Sequence, residues 1–274
     1  MKSLLKLTVC TLALAAFSSV AQAEQCAAGK TLETGKLTIA TGNPAYFPWV
    51  IDDAPESEKG FEAAVAYAVA GKMGFEKDDV IWARASFDES IQPGPKNFDV
   101  NLQQFSISAD RDKIVDFSLP YYSSAMAVLT TKSVVEAGAK PELASLKKLK
   151  WGADANTTAV PMLTGLVEPE SDPLLYNEQA DVSAAIQAGQ IDAALFDLPT
   201  ALYLAAVVVD NGVVLGQFPA DRTENPDQFG MLMEEGSKLK PCVDEAIKAL
   251  TTDGTLAKLE AVWLSETTSV PVIK

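Results

Sequence analysis

The sequence predicts an α/β fold of two lobes that face each other across a cleft. Three observations carry this expectation. Short runs rich in β-branched residues alternate with longer runs of helical periodicity, the grammar of a sheet with helical crossovers. That grammar runs to Tyr121-Tyr122 and then begins again. No low-complexity tract or flexible linker separates the halves, so extended crossovers are expected to join them.

The elements follow in order. Lys36 to Thr41, KLTIAT, alternates and is β-branched, a strand leading into the turn Gly42-Asn43-Pro44. Gly60-Phe61-Glu62 opens the alanine-rich AAVAYAVAGKMGF, apolar at helical spacing and closing near Gly74. Val80 to Ala83 reads as a strand. Asp88 to Ile91 reads as a brief helix stopped by Pro93-Gly94-Pro95, and residues 98 to 102 as a strand. In the second half, Met126 to Thr131 is a strand, Leu143 to Leu149 a short helix and Lys150 to Ala153 a strand. A helix begins at Thr157 and another covers Asp181 to Ala188. Ile191 to Phe196 is a buried strand ending at Asp197, and a helix follows from Pro199 to about Val208. Val213 to Leu215 and Phe229 to Met233 read as strands, and the tail from Cys242 to Trp263 as amphipathic helix. The chain is expected to leave the first lobe near 124 and return near 229. The first lobe is then 24–124 plus 229–274, and the second 125–228.

The first 23 residues carry Lys2 and Lys6, an apolar stretch and Ala21-Gln22-Ala23, the pattern of a secretory leader, so residues 1–23 are expected to be removed. The apolar stretch is shorter than the roughly 20 residues that span a bilayer. Cys26 follows Glu24 and Gln25 rather than a small residue at the cleavage point, which argues against a lipid anchor. The mature chain keeps 20 of 22 basic residues and all 37 acidic ones, a net charge of −17. Such a field disfavours nucleic acid and anionic membranes as partners. Cys26 and Cys242 then remain in an oxidising compartment, and one disulfide between them is the economical reading, two buried thiols the alternative. There is no histidine, which removes the commonest general base and metal ligand; no metal and no cofactor are expected.

The stretch 98 to 122, FDVNLQQFSISADRDKIVDFSLPYY, poses the functional question. Ser106 and Ser108 offer hydroxyls beyond an apolar strand, and Arg111 adds a planar fork of donors that matches a carboxylate in two places. With TGNPAYFPW, GFEAAVAYAVAGKMGF, WGADANTTA, QAGQIDAALFDLPTALYL and LTTDGTLAKLEAVWL, all in order over residues 36 to 266, the chain closely resembles the extracytoplasmic amino-acid-binding proteins that serve ATP-driven importers, solute-binding protein family 3. The resemblance implies two Rossmann-like lobes, the type II periplasmic binding protein fold, with the ligand at the carboxyl ends of the strands.

It also implies roles. Arg111 and Ser106 match the residues that hold a ligand's α-carboxylate; the alternative is an arginine paired with Asp112 or Asp116. Thr158 matches a second-lobe threonine that reaches the same carboxylate, or it is a helix cap. Asp197 matches the aspartate that takes the α-ammonium, or it is the N-cap before Pro199. Tyr46 matches an aromatic that covers the ligand side chain, with help from Phe47 or Trp49, or all three are core. Asn43 stands where relatives selective for basic amino acids carry an aspartate, which weakens the case for a basic ligand and leaves a slight preference for neutral polar ones. Gln103 and Gln104 replace small residues, and Gln104 is expected at the ligand. Asn156 replaces a common glycine, which puts the backbone approach to the carboxylate in question. The implied function is capture of a free amino acid in the periplasm and delivery to the membrane permease of an ABC importer, by a monomer and without catalysis. A cyclohexadienyl or arogenate dehydratase on the same scaffold is the alternative.

Overall fold

The computed structural model describes residues 26–218, 227–264 and 270–274; the expected leader lies outside them. Strand β1 (Leu37–Thr41) is buried along its whole length. Helix α1 (Phe61–Lys72) follows and buries Phe61, Val65, Ala66 and Val69. Gly60 makes that entry possible. Its φ is +103°, and a Cβ there would lie 2.5 Å from the Trp49 carbonyl oxygen, so only glycine fits. Strand β2 (Val80–Arg84) pairs parallel with β1, and Ser86 caps α2 (Phe87–Ser90) by accepting from the Glu89 amide. Strands β3 (Val100–Asn101) and β4 (Val115–Phe117) complete this part of the chain.

Strand β5 (Tyr122–Ser124) then crosses to the second lobe, which opens with β6 (Met126–Thr131). Short helices α3 (Lys132–Glu136) and α4 (Leu143–Leu146) lead to β7 (Trp151–Asp154). Helix α5 (Ala159–Met162) widens into a π-turn, and β8 (Leu174–Tyr176), α6 (Gln179–Gln187), β9 (Ala193–Asp197), α7 (Leu198–Tyr203) and β10 (Gly212–Phe218) follow. The chain returns through β11 (Asp227–Phe229) and β12 (Leu232–Glu234) and ends in α8 (Lys240–Thr252) and α9 (Thr255–Trp263).

The two sheets have the orders β2-β1-β3-β12-β4 and β10-β6-β9-β7-β8. Both are mixed rather than parallel. Strands reached through helical crossovers run parallel, as in β1 with β2 and β7 with β9. Strands entered from the other lobe, β12 and β6, come from the opposite end and run antiparallel to their neighbours. The crossing strands pair with each other, Asp227 opposite Ser124 and Phe229 opposite Tyr122. The single strand expected over Phe229 to Met233 is thus two, split at Gly230. There a Cβ would come within 2.9 Å of Ile107, so the chain turns at a point of close packing.

Each lobe has its own core. Trp49, Phe61, Leu102, Phe229 and Val243 belong to the first, and Trp151, Leu163, Ala193 and Leu195 to one of two clusters flanking the second sheet. The Cys26–Cys242 disulfide ties the first described residue to α8. In the chain-entropy model, closing a loop with a sequence separation of 216 residues constrains the unfolded chain by about 5 kcal/mol. No helix among the described residues is long and apolar enough to cross a membrane.

Candidate ligand-binding site

Strands from both sheets end at one cavity of about 110 Å³. The first sheet delivers Tyr46 after β1, and Gln103, Gln104 and Ser106 after β3. The second delivers Asp154 from the end of β7, Thr157 and Thr158 just beyond it, and Asp197 from the end of β9. This is the edge at which α/β sheets present loops and unpaired strand ends to ligands.

Arg111 opens a short 3-10 turn and points back under the loop. One guanidinium nitrogen donates to the Ser106 carbonyl at 2.8 Å and the other to the Asn156 carbonyl of the second lobe at 2.6 Å. Phe87 lies against the cation, 5.3 Å from carbon to ring centroid. Neither Asp112 nor Asp116 takes it; Asp116 accepts from the Ser237 amide instead. Each terminal nitrogen carries two N–H groups, so one on each remains to offer a ligand. Burial depresses the guanidinium pKa, opposed by the nearby carboxylates of Asp227 and Asp154.

Asp197 sits across the cavity, only 8% exposed. One carboxyl oxygen accepts from the Thr200 amide at 2.8 Å and caps α7, so the capping role is present while the residue also faces the cavity. Burial pushes its pKa up to about 7 despite the Thr200 bonds that favour the charged form. Thr158 lies in line with Ser106 from the other lobe, hydroxyl to hydroxyl at 3.3 Å.

The other expected site residues divide. Tyr46 lines the cavity, half-buried. Gln104 lines it with φ +49°, held from behind by Glu62, which accepts from its amide N–H at 2.8 Å and from its side chain. Asn43 is exposed and stands outside the lining, because the turn after β1 faces solvent. Phe47 and Trp49 are outside it too. Phe47 packs on Tyr203 with ring centroids 5.1 Å apart, and Trp49 is wholly buried, donating to the Thr200 hydroxyl at 2.9 Å. Asn156, far from hindering the loop, has no left-handed backbone and ties the lobes together through its carbonyl and a 2.9 Å bond to Asp88.

Four acidic residues escaped the sequence reading. Asp154, Glu178 and Asp227 line the cavity. Glu62 lies behind it, 1% exposed, accepting also from the Tyr121 hydroxyl, and burial lifts its pKa to about 7. Asp154 carried a usable signal, since it closes a strand at the carboxyl edge. Glu178 looks like an acid preceding a helix, and Glu62 like a dipole-stabilising first-turn residue. Burial raises the pKa of Asp154 to about 6 and that of Asp227 in the same direction; the Ser106 hydroxyl and Arg111 favour the ionised form of Asp227. Among the described residues no group of acidic or cysteine side chains has the arrangement of a metal site.

Known proteins are similar to this chain in sequence and fold. The L-cystine-binding protein TcyJ of Escherichia coli K12 is 29% identical over 239 residues, covering 85% of this chain and 84% of its own. A probable amino-acid ABC transporter-binding protein of Haemophilus influenzae is 24% identical over 269 residues, covering 96% and 97%. The structure of AbpA from Streptococcus pneumoniae bound to L-arginine superposes with a TM-score of 0.65 at 26% identity, over 86% of this chain and 97% of that one. Residues 37–266 match the sequence profile of the bacterial extracellular solute-binding proteins, family 3. The chain belongs to that family.

Proposed function

We propose that the protein captures a free amino acid between its lobes and presents the closed complex to the membrane permease of an ABC importer. The observation that carries this reading is the opposition of Arg111 and Asp197, a half-buried cation and a buried anion, on different lobes around one cavity. Arg111, Ser106 and Thr158 suit an α-carboxylate, and Asp197 an α-ammonium. A zwitterion that touches both lobes binds the closed state better than the open one, which is the differential affinity that closure requires. Residues 24–124 and 229–274 then move as one body against 125–228, about the paired strands β5 and β11. The mature protein acts as a monomer in the periplasm after loss of residues 1–23. The relatives named as amino-acid and cystine binders support this assignment. Relatives named as binding proteins favour capture over the dehydratase alternative.

Calorimetric titration with the twenty amino acids and cystine tests the reading. At least one is expected to bind, and Arg111→Ala to weaken it by about a hundredfold or more, as when one side of a buried ion pair is removed. Failure of all of them to bind folded protein, or binding indifferent to Arg111→Ala, contradicts it.

A further inference from the structure

The cavity lining holds four carboxylates, Asp154, Glu178, Asp197 and Asp227, against one guanidinium, Arg111. A neutral zwitterion brings one charge of each sign and leaves that imbalance untouched. Asp154 and Asp197 are the buried pair of the four, and an α-ammonium on Asp197 leaves the Asp154 carboxylate without a cation of its own, so the site asks for a further one.

The sheet sets where that cation belongs. In the second sheet β9, β7 and β8 are successive neighbours, with Gly152 opposite Ala194 and Asp154 opposite Tyr176. Asp197 ends β9, Asp154 ends β7, and Glu178 follows Tyr176 by two residues. Three carboxylates therefore step across the carboxyl edge of the sheet at strand spacing, about 5 Å per step and about 10 Å in all. Asp154 is nine-tenths buried and has one carboxyl oxygen bonded to the Asn156 amide, the other having no hydrogen-bond partner among the described residues. Tyr46 lines the same cavity from the first lobe, and burial, then the carboxylates of Glu178 and Asp53, raise the pKa of its hydroxyl. From the first lobe, Gln103 also lines the cavity, and its side-chain carbonyl oxygen is buried without a hydrogen-bond partner among the described residues.

Resting on the amino-acid-binding reading, we infer that the cleft selects an amino acid with a second cationic nitrogen at the end of its side chain, as in lysine, ornithine or arginine. Asp197 takes the α-ammonium, while Asp154 and Glu178 are the specificity-determining residues for the terminal cation and Tyr46 covers the aliphatic stem. The slight sequence-based preference for a neutral ligand rested on Asn43, which is outside the cavity; the acids that replace its influence come from the opposite lobe.

Titration calorimetry at neutral pH, comparing arginine and lysine with the neutral isostere citrulline, glutamine and cystine, decides the matter. The better of arginine and lysine is expected to bind about tenfold or more tighter than citrulline, glutamine and cystine. Asp154→Asn and Glu178→Gln, each checked by circular dichroism and thermal melting, are expected to shrink that ratio about fivefold or more. Glu178→Gln is at an exposed position, so its folding is not in question. Citrulline, glutamine or cystine binding as well as the cationic ligands, or a ratio that neither variant moves, overturns the inference and leaves amino-acid capture standing. No binding by any amino acid overturns both.

Discussion

Arg111 and Asp197 show how much one residue's environment decides. Both lie at ends of regular segments, where their types and neighbours make them stand out in the sequence. The structure brings them to one cavity with Tyr46, Gln104, Ser106 and Thr158, and leaves Asn43 in solvent. What was not legible was Glu62, because an acid in the first turn of a helix is ordinarily a solvated dipole partner. Here α1 is buried on the side that carries it. Its folded pKa of about 7 lies above the ordinary 4.5, so it contributes stability below pH 4.5 that is lost as pH rises through 7. Glu62→Gln keeps an acceptor for Tyr121 or Gln104 and removes the charge. Melting temperature at pH 8 is expected to rise by several degrees, and its decline between pH 5 and 8 to flatten. An unchanged slope with a lower melting point would show that the ionised carboxylate and its three donors outweigh desolvation.

At the scale of elements, the long periodic segments were readable and the short ones were not. Met126 to Thr131 coincides with β6, and α1, α6 and β9 fall within two residues of expectation. Strands β4, β5 and β8 have three residues each, too few for alternation to register, and β8 exposes Leu174 and Leu175. Their pairing is set by long-range neighbours rather than by local pattern. The direction of β6 and β12 depends likewise on which lobe the chain has just left. Gly60 is the clearest case of sequence dictating an element, since α1 cannot begin there with a side chain. Gly60→Ala meets both a φ of +103° and the Trp49 backbone, and is expected to cost on the order of 3 kcal/mol in chemical denaturation. A loss below about 1 kcal/mol would mean the 49–60 loop can shift.

For the whole molecule, function depends on two bodies that share one cavity. Trp49 with Thr200, Arg111 with the Asn156 carbonyl, and Asp88 with Asn156 already join the lobes. These contacts hold the arrangement in which Arg111 and Asp197 face one cavity. Two-lobed architecture was legible because the strand and helix grammar occurs twice without a linker. The acidic character of the cleft was not, because Asp154, Glu178 and Asp227 come together only when two strand ends and a return crossover converge. A crystal structure with an amino acid bound tests the central claim most directly. The α-carboxylate is expected within hydrogen-bond distance, about 3 Å, of both Arg111 and Thr158, and the α-ammonium on Asp197. A ligand bound with its carboxylate away from Arg111, or touching only one lobe, would contradict the account.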